Sequence, residues 1–170
     1  RPQAGSTEWA VGQSMPGDVV MRLSPHFTLA ELTKSQEAVR KGIDNTPDAA
    51  VIENLRLVAT HILEPVRERF GFPFAPSSGF RSLELNRSIG SKDTSQHIAG
   101  QAVDFEVPGI SNYDLAVWVR DNLPFDQLIL EYYTSGQPAS GWVHCSYVGE
   151  RRRAEVMTFG GGKYSRTLVA

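Results

Sequence analysis

Hydrophobic positions in the first half of the chain recur with the spacing of helices. Between Pro47 and Phe70, apolar residues return every three or four positions, which predicts one amphipathic helix over this span. We expect Thr46 to cap its start and Gly71 to follow its end. Pro65 lies inside the pattern and is expected to kink the last turn. The apolar stripe consists of Val51, Leu55, Val58, Ile62 and Val66.

Two shorter helices are predicted before this one. Thr28 and Glu31 have the spacing of a capping box, in which each satisfies a free backbone N–H of the other, so a helix is expected to begin there. A second short helix is predicted from Ser35 to Arg40, with Gly42 ending it. Residues 1–22 show little periodicity and many Gly, Pro, Ser and Gln residues, which predicts an extended arm before a domain over 23–170.

The second half of the chain has the pattern of short strands separated by turn residues. One further helix fits 113–122, and Gly160 to Gly162 predict a turn that closes a final hairpin. Because helices come first and strands later, we expect an α+β fold with helices packed on a mainly antiparallel sheet. The predicted strands are 75–81, 101–107, 127–133, 142–148 and 155–159.

Composition and charge narrow the possible functions. The formal net charge of −2 gives no general attraction for nucleic acid, so no nucleic-acid partner is expected. No apolar stretch approaches the roughly 20 residues that span a bilayer, and no apolar signal-peptide core is visible at the start. Cys145 is the single cysteine, which excludes an intramolecular disulfide.

Three residues have the chemistry of a metal site. Asp104 lies between Val103 and Phe105 on a predicted strand, so its carboxylate is expected to be partly buried and to need a cation or hydrogen bonds. His97 precedes it in a loop, and His144 lies on another predicted strand. Two imidazoles and one carboxylate are a normal zinc ligand set with a fourth position left open. From spacing alone, a simple hydrogen bond between His97 and Asp104 explains the pair equally well.

Four segments together resemble one family. Residues 95–104, Ser-Gln-His-Ile-Ala-Gly-Gln-Ala-Val-Asp, are similar to the Ser-x-His-x-x-Gly-x-Ala-x-Asp signature of zinc D,D-peptidases of the D-alanyl-D-alanine carboxypeptidase type, the M15 group. Residues 142–144 resemble its Trp-x-His element, and 78–86 resemble its Ser-Gly-Tyr-Arg-Ser segment. Residues 23–32 resemble members found in bacteriophage genomes. The four matches occur in the family's order and imply one domain with the hedgehog/D,D-peptidase-like fold.

The resemblance implies a role for each matching residue. His97, Asp104 and His144 are expected to hold one zinc ion. Arg81 is expected to bind the substrate carboxylate or the carbonyl oxygen beside the bond that is cut, since a planar guanidinium suits both. Ser95 and Trp142 are expected near the substrate. The implied function is hydrolysis of peptide bonds in peptidoglycan stem peptides, by a carboxypeptidase or by an endopeptidase of the endolysin type.

The catalytic base is where the chain departs from the family. Several relatives have an acidic residue three positions before the last histidine, and here that position is Gly141. Glu131, at the end of an apolar strand that is expected to raise its pKa, is the predicted base. Asp126 is the second candidate.

Two other functions remain open at this point. Gly141 and the arm at residues 1–22 are also consistent with an inactive, zinc-stabilised structural module that contacts other proteins of a phage particle. A thiol hydrolase based on Cys145 is disfavoured, because side chains alternate along a strand and His144 would point to the opposite face. An enzyme acting on the cell wall without a signal would need delivery by a virion or release through a pore.

Overall fold

The computed structural model describes residues 20–170. Most of the predicted arm therefore lies outside the described residues. At its end, the Met21 carbonyl accepts a hydrogen bond from the Leu29 amide, and Arg22 forms a β-bridge with Thr28. Within residues 20–170, none of the helices combines the length and apolar character needed to cross a membrane.

The two short N-terminal helices form as predicted. Helix α1 covers Leu29–Thr33, and its cap Thr28 accepts a hydrogen bond from the Glu31 amide while the Glu31 carboxylate accepts one from the Thr28 amide. Helix α2 covers Gln36–Lys41. It ends at Gly42, whose φ of 65° is in the left-handed region that glycine tolerates without steric cost.

The predicted long helix is broken into three parts. Helix α3 covers Ala49–Val58, a π-helical turn covers Ala59–Leu63, and α4 covers Glu64–Phe70. The prediction of Thr46 as the cap is wrong, because the Asp48 side chain accepts the hydrogen bond from the first turn. Pro65 has no N–H to donate, so the distortion falls in the turn before it.

The sheet has five strands, β1 Ala102–Phe105, β2 Gln127–Glu131, β3 Trp142–Ser146, β4 Glu155–Gly160 and β5 Lys163–Ser165. Their order in the sheet is β1-β3-β2-β4-β5. Its pairs are antiparallel except for β2 with β4, which are parallel, so the α+β prediction with a mainly antiparallel sheet is confirmed. Helix α6, Asn112–Asn122, packs on β2 and β3. Strands β4 and β5 form the predicted closing hairpin.

The predicted strand at 75–81 is wrong. Only Ser78 bridges the sheet, opposite Asp104, and the chain then leaves it. The Phe80 amide donates to the Leu32 carbonyl, and Gly79 packs so closely on that carbonyl that a side chain would collide with it. A helix that the periodicity did not predict, α5 at Leu83–Ser88, follows immediately. Tertiary hydrogen bonds thus replace the ladder of a regular strand here.

The two faces of the sheet have different environments. One face packs against α3, the π-helical turn and α6, and it forms the hydrophobic core with Leu128 and Leu130 of β2 and Val143 and Cys145 of β3. Because side chains alternate along each strand, the residues between them point to the other face. That second face carries His144.

Candidate metal centre

The three predicted ligands meet at one point. Asp104 of β1 and His144 of β3 are directly opposite in the strand register, so their side chains lie side by side on the same face. His97 approaches from the loop that precedes β1. The potential ligand atoms of all three residues lie within 4.8 Å of one another. Residues far apart in sequence are therefore brought together by the sheet register.

A tight turn brings His97 back to the sheet. Gly100 has a φ of 70°, and its amide donates to the His97 carbonyl at 3.2 Å. Any side chain at this position would press on Val51 of helix α3, within 3 Å of its backbone oxygen. The glycine is thus required both by its backbone conformation and by its packing. The Ser95 hydroxyl accepts a hydrogen bond from the His97 amide at 3.3 Å, which helps to hold the turn.

The hydrogen bonds of His97 fix which of its nitrogens faces the cluster. Nδ1 lies 2.7 Å from the Gly79 carbonyl oxygen, and a carbonyl only accepts, so Nδ1 carries the proton. In the neutral ring, Nε2 then presents a lone pair, and it lies 3.3 Å from Asp104 Oδ1. Nδ1 of His144 lies 2.9 Å from the same oxygen. A lone pair facing a carboxylate oxygen is repulsive, so this arrangement fits a cation placed between the three groups.

The donor set fits zinc. Ligand atoms about 2.1 Å from a tetrahedral centre lie roughly 3.4 Å apart, which is close to the 3.3 Å between His97 Nε2 and Asp104 Oδ1 and longer than the 2.9 Å between His144 Nδ1 and the same oxygen. Burial lowers the pKa of His97, which favours the neutral ring that can act as a ligand. Burial pushes the pKa of Asp104 upwards, but the positive charge and the hydrogen bonds of His97 and His144 in their protonated forms outweigh it and hold the pKa well below the usual value. Asp104 is thus an ionised carboxylate.

Arg81 lies beside the three candidate ligands. Its backbone amide donates to the His97 carbonyl at 3.1 Å, which anchors Arg81 to the loop that carries His97. Burial lowers the pKa of its guanidinium, whereas the charges of Asp104 and Glu131 raise it, so the group stays charged at neutral pH. Within residues 20–170, nothing accepts a hydrogen bond from its buried Nε. A charged donor with unused hydrogen-bonding capacity is suited to hold an anionic or carbonyl oxygen.

Glu131 reaches the same site from the end of β2. Its Oε1 lies 3.9 Å from His144 Nδ1, and its pKa is raised by burial and by the nearby charge of Asp104. Gly141, with a φ of 66°, packs directly on the Glu131 carbonyl and would collide with it if it carried a side chain. The steric contact explains why an acidic residue is absent at position 141, and the structure instead offers one at position 131.

Asp126 has a different environment from Glu131. It is 3% exposed, and its carboxylate accepts hydrogen bonds from the Gln96 amide and from the backbone and guanidinium of Arg153. Burial raises its pKa, but these hydrogen bonds outweigh it, and the pKa is lowered. A carboxylate with these partners is stable as an anion and is a poor proton acceptor. The structure gives Asp126 a structural role.

Cys145 is remote from this chemistry. It is fully buried in the core, on the face of β3 opposite His144, and burial raises the pKa of its thiol. A thiol with these properties is inert, because the thiolate is the nucleophile. Trp142 by contrast lies on the same face as His144 and directly opposite Glu131, where substrate binding was predicted.

Some supporting residues were not predicted. The Gly79 carbonyl orients His97. The side-chain amide of Gln96 donates to Asp126 and so joins the loop that carries His97 to the residue before β2. Asn112 is 1% exposed and donates through Nδ2 to the carbonyls of Ser140 and Gly141, which holds the chain before β3. No sequence pattern marks these contacts, because they join backbone carbonyls and side chains that only the folded chain brings into reach.

Comparison with known proteins agrees with the site. The family model described as Peptidase M15 matches residues 25–146, which include the three candidate ligands, Arg81 and Glu131. The chain belongs to the peptidase M15 family. A search of curated proteins found no match. Members of the M15 family are zinc-dependent peptidases, so the protein is a hydrolase of the metallopeptidase type, and its His-Asp-His group could hold the metal.

Proposed function

We propose that this M15 protein hydrolyses peptide bonds of bacterial peptidoglycan stem peptides, using one zinc ion held by His97, Asp104 and His144. The observation that carries the proposal is the placement of two imidazole nitrogens against one oxygen of Asp104. This arrangement fits a bound cation, and it lies beside a charged donor and a carboxylate of raised pKa. Family membership supports the same chemistry.

The residues around the candidate ligands have different roles in substrate binding and in support of the ligands. Bound zinc supplies Lewis-acid activation of water and of the scissile carbonyl. Arg81 holds either the developing oxyanion or a substrate carboxylate, because its guanidinium is charged and its Nε has no acceptor among the described residues. Trp142 lines the face on which the substrate lies, and Ser95 supports the loop that carries His97.

Glu131 moves the proton in this proposal. Its carboxylate takes a proton from the attacking water and delivers it to the nitrogen of the leaving amine. Burial raises its pKa towards the working range of a general base, which makes the protonated form accessible during the reaction. Its Oε1 lies 3.9 Å from Nδ1 of His144, one of the three candidate ligands, which supports this role.

The test is digestion of purified peptidoglycan followed by mass spectrometry of the released fragments. Zinc-loaded protein should release free D-alanine if it is a carboxypeptidase, or peptides with new termini if it is an endopeptidase. Chelator and His97→Ala should each abolish release. His26→Ala is the matched control, because His26 is half-exposed and contacts Glu64, away from the ligands.

The same experiment separates the enzyme from a structural module. A folded, zinc-loaded protein that leaves wall peptides intact would overturn the proposal and favour an inactive component of a larger particle. Fragments that persist in chelator and in His97→Ala would show that the hydrolysis does not depend on this site.

A further inference from the structure

A row of aromatic side chains crosses the sheet beside Glu131. The strand register pairs Glu131 with Trp142 of β3 and with Phe159 of β4, and it pairs Phe159 with Tyr164 of β5. Paired residues of neighbouring strands point to the same face. All four therefore lie on the face that carries His144. The row begins at the candidate metal centre and runs to the edge strand.

Tyr132 completes this row through an unusual backbone conformation. Its φ is 55°, a value that is uncommon for residues other than glycine. An extended backbone would point Tyr132 away from the face of Glu131. Instead its ring lies 5.2 Å from that of Trp142 and 5.3 Å from that of Phe159. Such backbone strain is concentrated at functional sites. We call Trp142, Tyr132, Phe159 and Tyr164 the aromatic row.

The aromatic row carries no charge, and its two tyrosines are exposed while Trp142 and Phe159 are half-buried. Tyr132 is 50% exposed and Tyr164 is 60% exposed, and the rings of Phe159 and Tyr164 are 4.4 Å apart. Aromatic rings in contact with one another that reach the surface, as here, are suited to bind a ligand. Both of its most exposed members are tyrosines, which offer a flat apolar ring and a hydroxyl group. The ligand it fits is neutral, with one apolar face and a polar rim.

We propose that the aromatic row binds a sugar ring of the glycan strand to which the stem peptide is attached. The inference rests on the proposed function, and it adds a glycan subsite to it. A pyranose ring presents C–H groups that stack on aromatic faces, and its hydroxyl and N-acetyl groups reach tyrosine hydroxyls. A stem peptide instead presents charged groups, for which the aromatic row has no partner.

The spacing of the strands agrees with this placement. Neighbouring strands lie about 4.8 Å apart, so Tyr164, two strands from Glu131, lies roughly 10 Å from it along the sheet. A sugar on the outer part of the aromatic row and a peptide bond at the metal centre can therefore belong to one substrate molecule. The protein should prefer peptides that are still linked to sugar.

The test measures binding without turnover. An N-acetylglucosamine tetramer is titrated into the zinc-loaded protein, and binding is followed by NMR. We expect Tyr164→Ala to weaken binding by about fivefold or more, the effect of removing one aromatic stacking contact. Phe72→Ala is the matched control, because Phe72 is 49% exposed but lies outside the aromatic row. It should bind the tetramer as the unchanged protein does.

A cleavage assay separates this inference from the proposed function. The rate on a disaccharide-linked peptide is compared with the rate on the same peptide without sugar, and Tyr164→Ala should bring the ratio closer to one. Tetramer binding without any cleavage would support the sugar-binding role of the aromatic row and would overturn the proposed peptidase activity. Equal cleavage of both substrates with no tetramer binding would overturn the aromatic row alone. Loss of free-peptide binding in Tyr164→Ala, with tetramer binding unchanged, would make the row a peptide subsite and overturn the inference.

Discussion

Two aspartates of this protein, the buried Asp126 and the partly buried Asp104, have opposite surroundings. Asp126 accepts hydrogen bonds from Gln96 and from Arg153, whose guanidinium supplies the compensating positive charge. Asp104 shares one oxygen between His97 and His144, which are neutral in their ligand form. Asp126 is satisfied by the chain itself. Asp104 is left with a negative charge that an external cation would neutralise.

The difference shows how a binding site can be distinguished from a structural cluster. A buried carboxylate needs a cation or several hydrogen bonds, because removing its charge from water is costly. Where the chain provides both, as at Asp126, the group stabilises the fold. Where ligand atoms converge and no permanently charged group among residues 20–170 is hydrogen-bonded to them, as at Asp104, the three side chains could hold a metal ion.

The largest expected effect comes from Asp104→Asn, which removes the negative charge and keeps the shape. We expect zinc affinity to fall by more than about 100-fold, beyond the cost of losing a residue that only orients a ligand. Hydrolysis of wall peptides should fall below detection. The measurement is the zinc content per chain by elemental analysis after dialysis against a weak chelator. A variant that still holds one zinc per chain would contradict the comparison, and Asp126→Asn should keep its zinc.

Arg81→Lys should have the next largest effect. Lysine keeps the charge but loses the planar fork, so we expect kcat/KM to fall by about 100-fold or more, the usual cost of losing one oxyanion donor. The zinc content should stay at that of the unchanged protein, because Arg81 donates from its backbone to His97 and is not a ligand. Full activity in this variant would remove Arg81 from the site.

Asp126→Asn should lower stability and leave the metal in place. We expect a loss of about 1–3 kcal/mol in the free energy of unfolding, because the buried hydrogen bonds from Arg153 lose their charged acceptor. The partly exposed position of Arg153 keeps this figure at the low end. Denaturant unfolding measures it. Asp121→Asn, which alters an exposed pair with Arg120, is the control and should change the midpoint little.

This effect should depend on pH in a defined direction. The pKa of Asp126 is lower in the folded chain than in the unfolded chain. Its contribution to stability is therefore complete above the unfolded pKa of about 3.9 and is lost as the pH falls through the lower folded value. The stability gap between the unchanged protein and Asp126→Asn should narrow below roughly pH 4. A gap that widened there would show that Asp126 has a raised pKa.

Cys145→Ala should have the smallest effect. The substitution leaves a small cavity on the core face of β3, so we expect a loss of about 1 kcal/mol in stability. Zinc content and activity should not change, because the site lies on the other face. Loss of activity in a folded, zinc-loaded Cys145→Ala protein would instead support a thiol hydrolase mechanism based on Cys145.

The sequence predicted the parts of the fold that depend on local periodicity. The capping box at Thr28, the end of α2 at Gly42 and the paired strands around His144 all formed where the pattern indicated. The prediction of a strand at 75–81 was wrong, because the backbone of Gly79 packs on Leu32 and this segment forms no regular ladder. The sequence also missed the π-helical turn before Pro65, which a periodic pattern alone does not reveal.

For the candidate site, residue types and their order were enough to select the candidate metal ligands and the family. His97, Asp104 and His144 carry ligand chemistry wherever they fall, and the order of the segments around them is visible in the sequence. The surroundings that distinguish the two candidate bases, Glu131 and Asp126, are decided only by the tertiary structure. Asp126 and Glu131 are both acidic residues at the ends of the same strand. The guanidinium of Arg153 neutralises Asp126, whereas burial and the nearby charge of Asp104 raise the pKa of Glu131. The environment of a carboxylate is made by distant residues, so only the folded chain determines it.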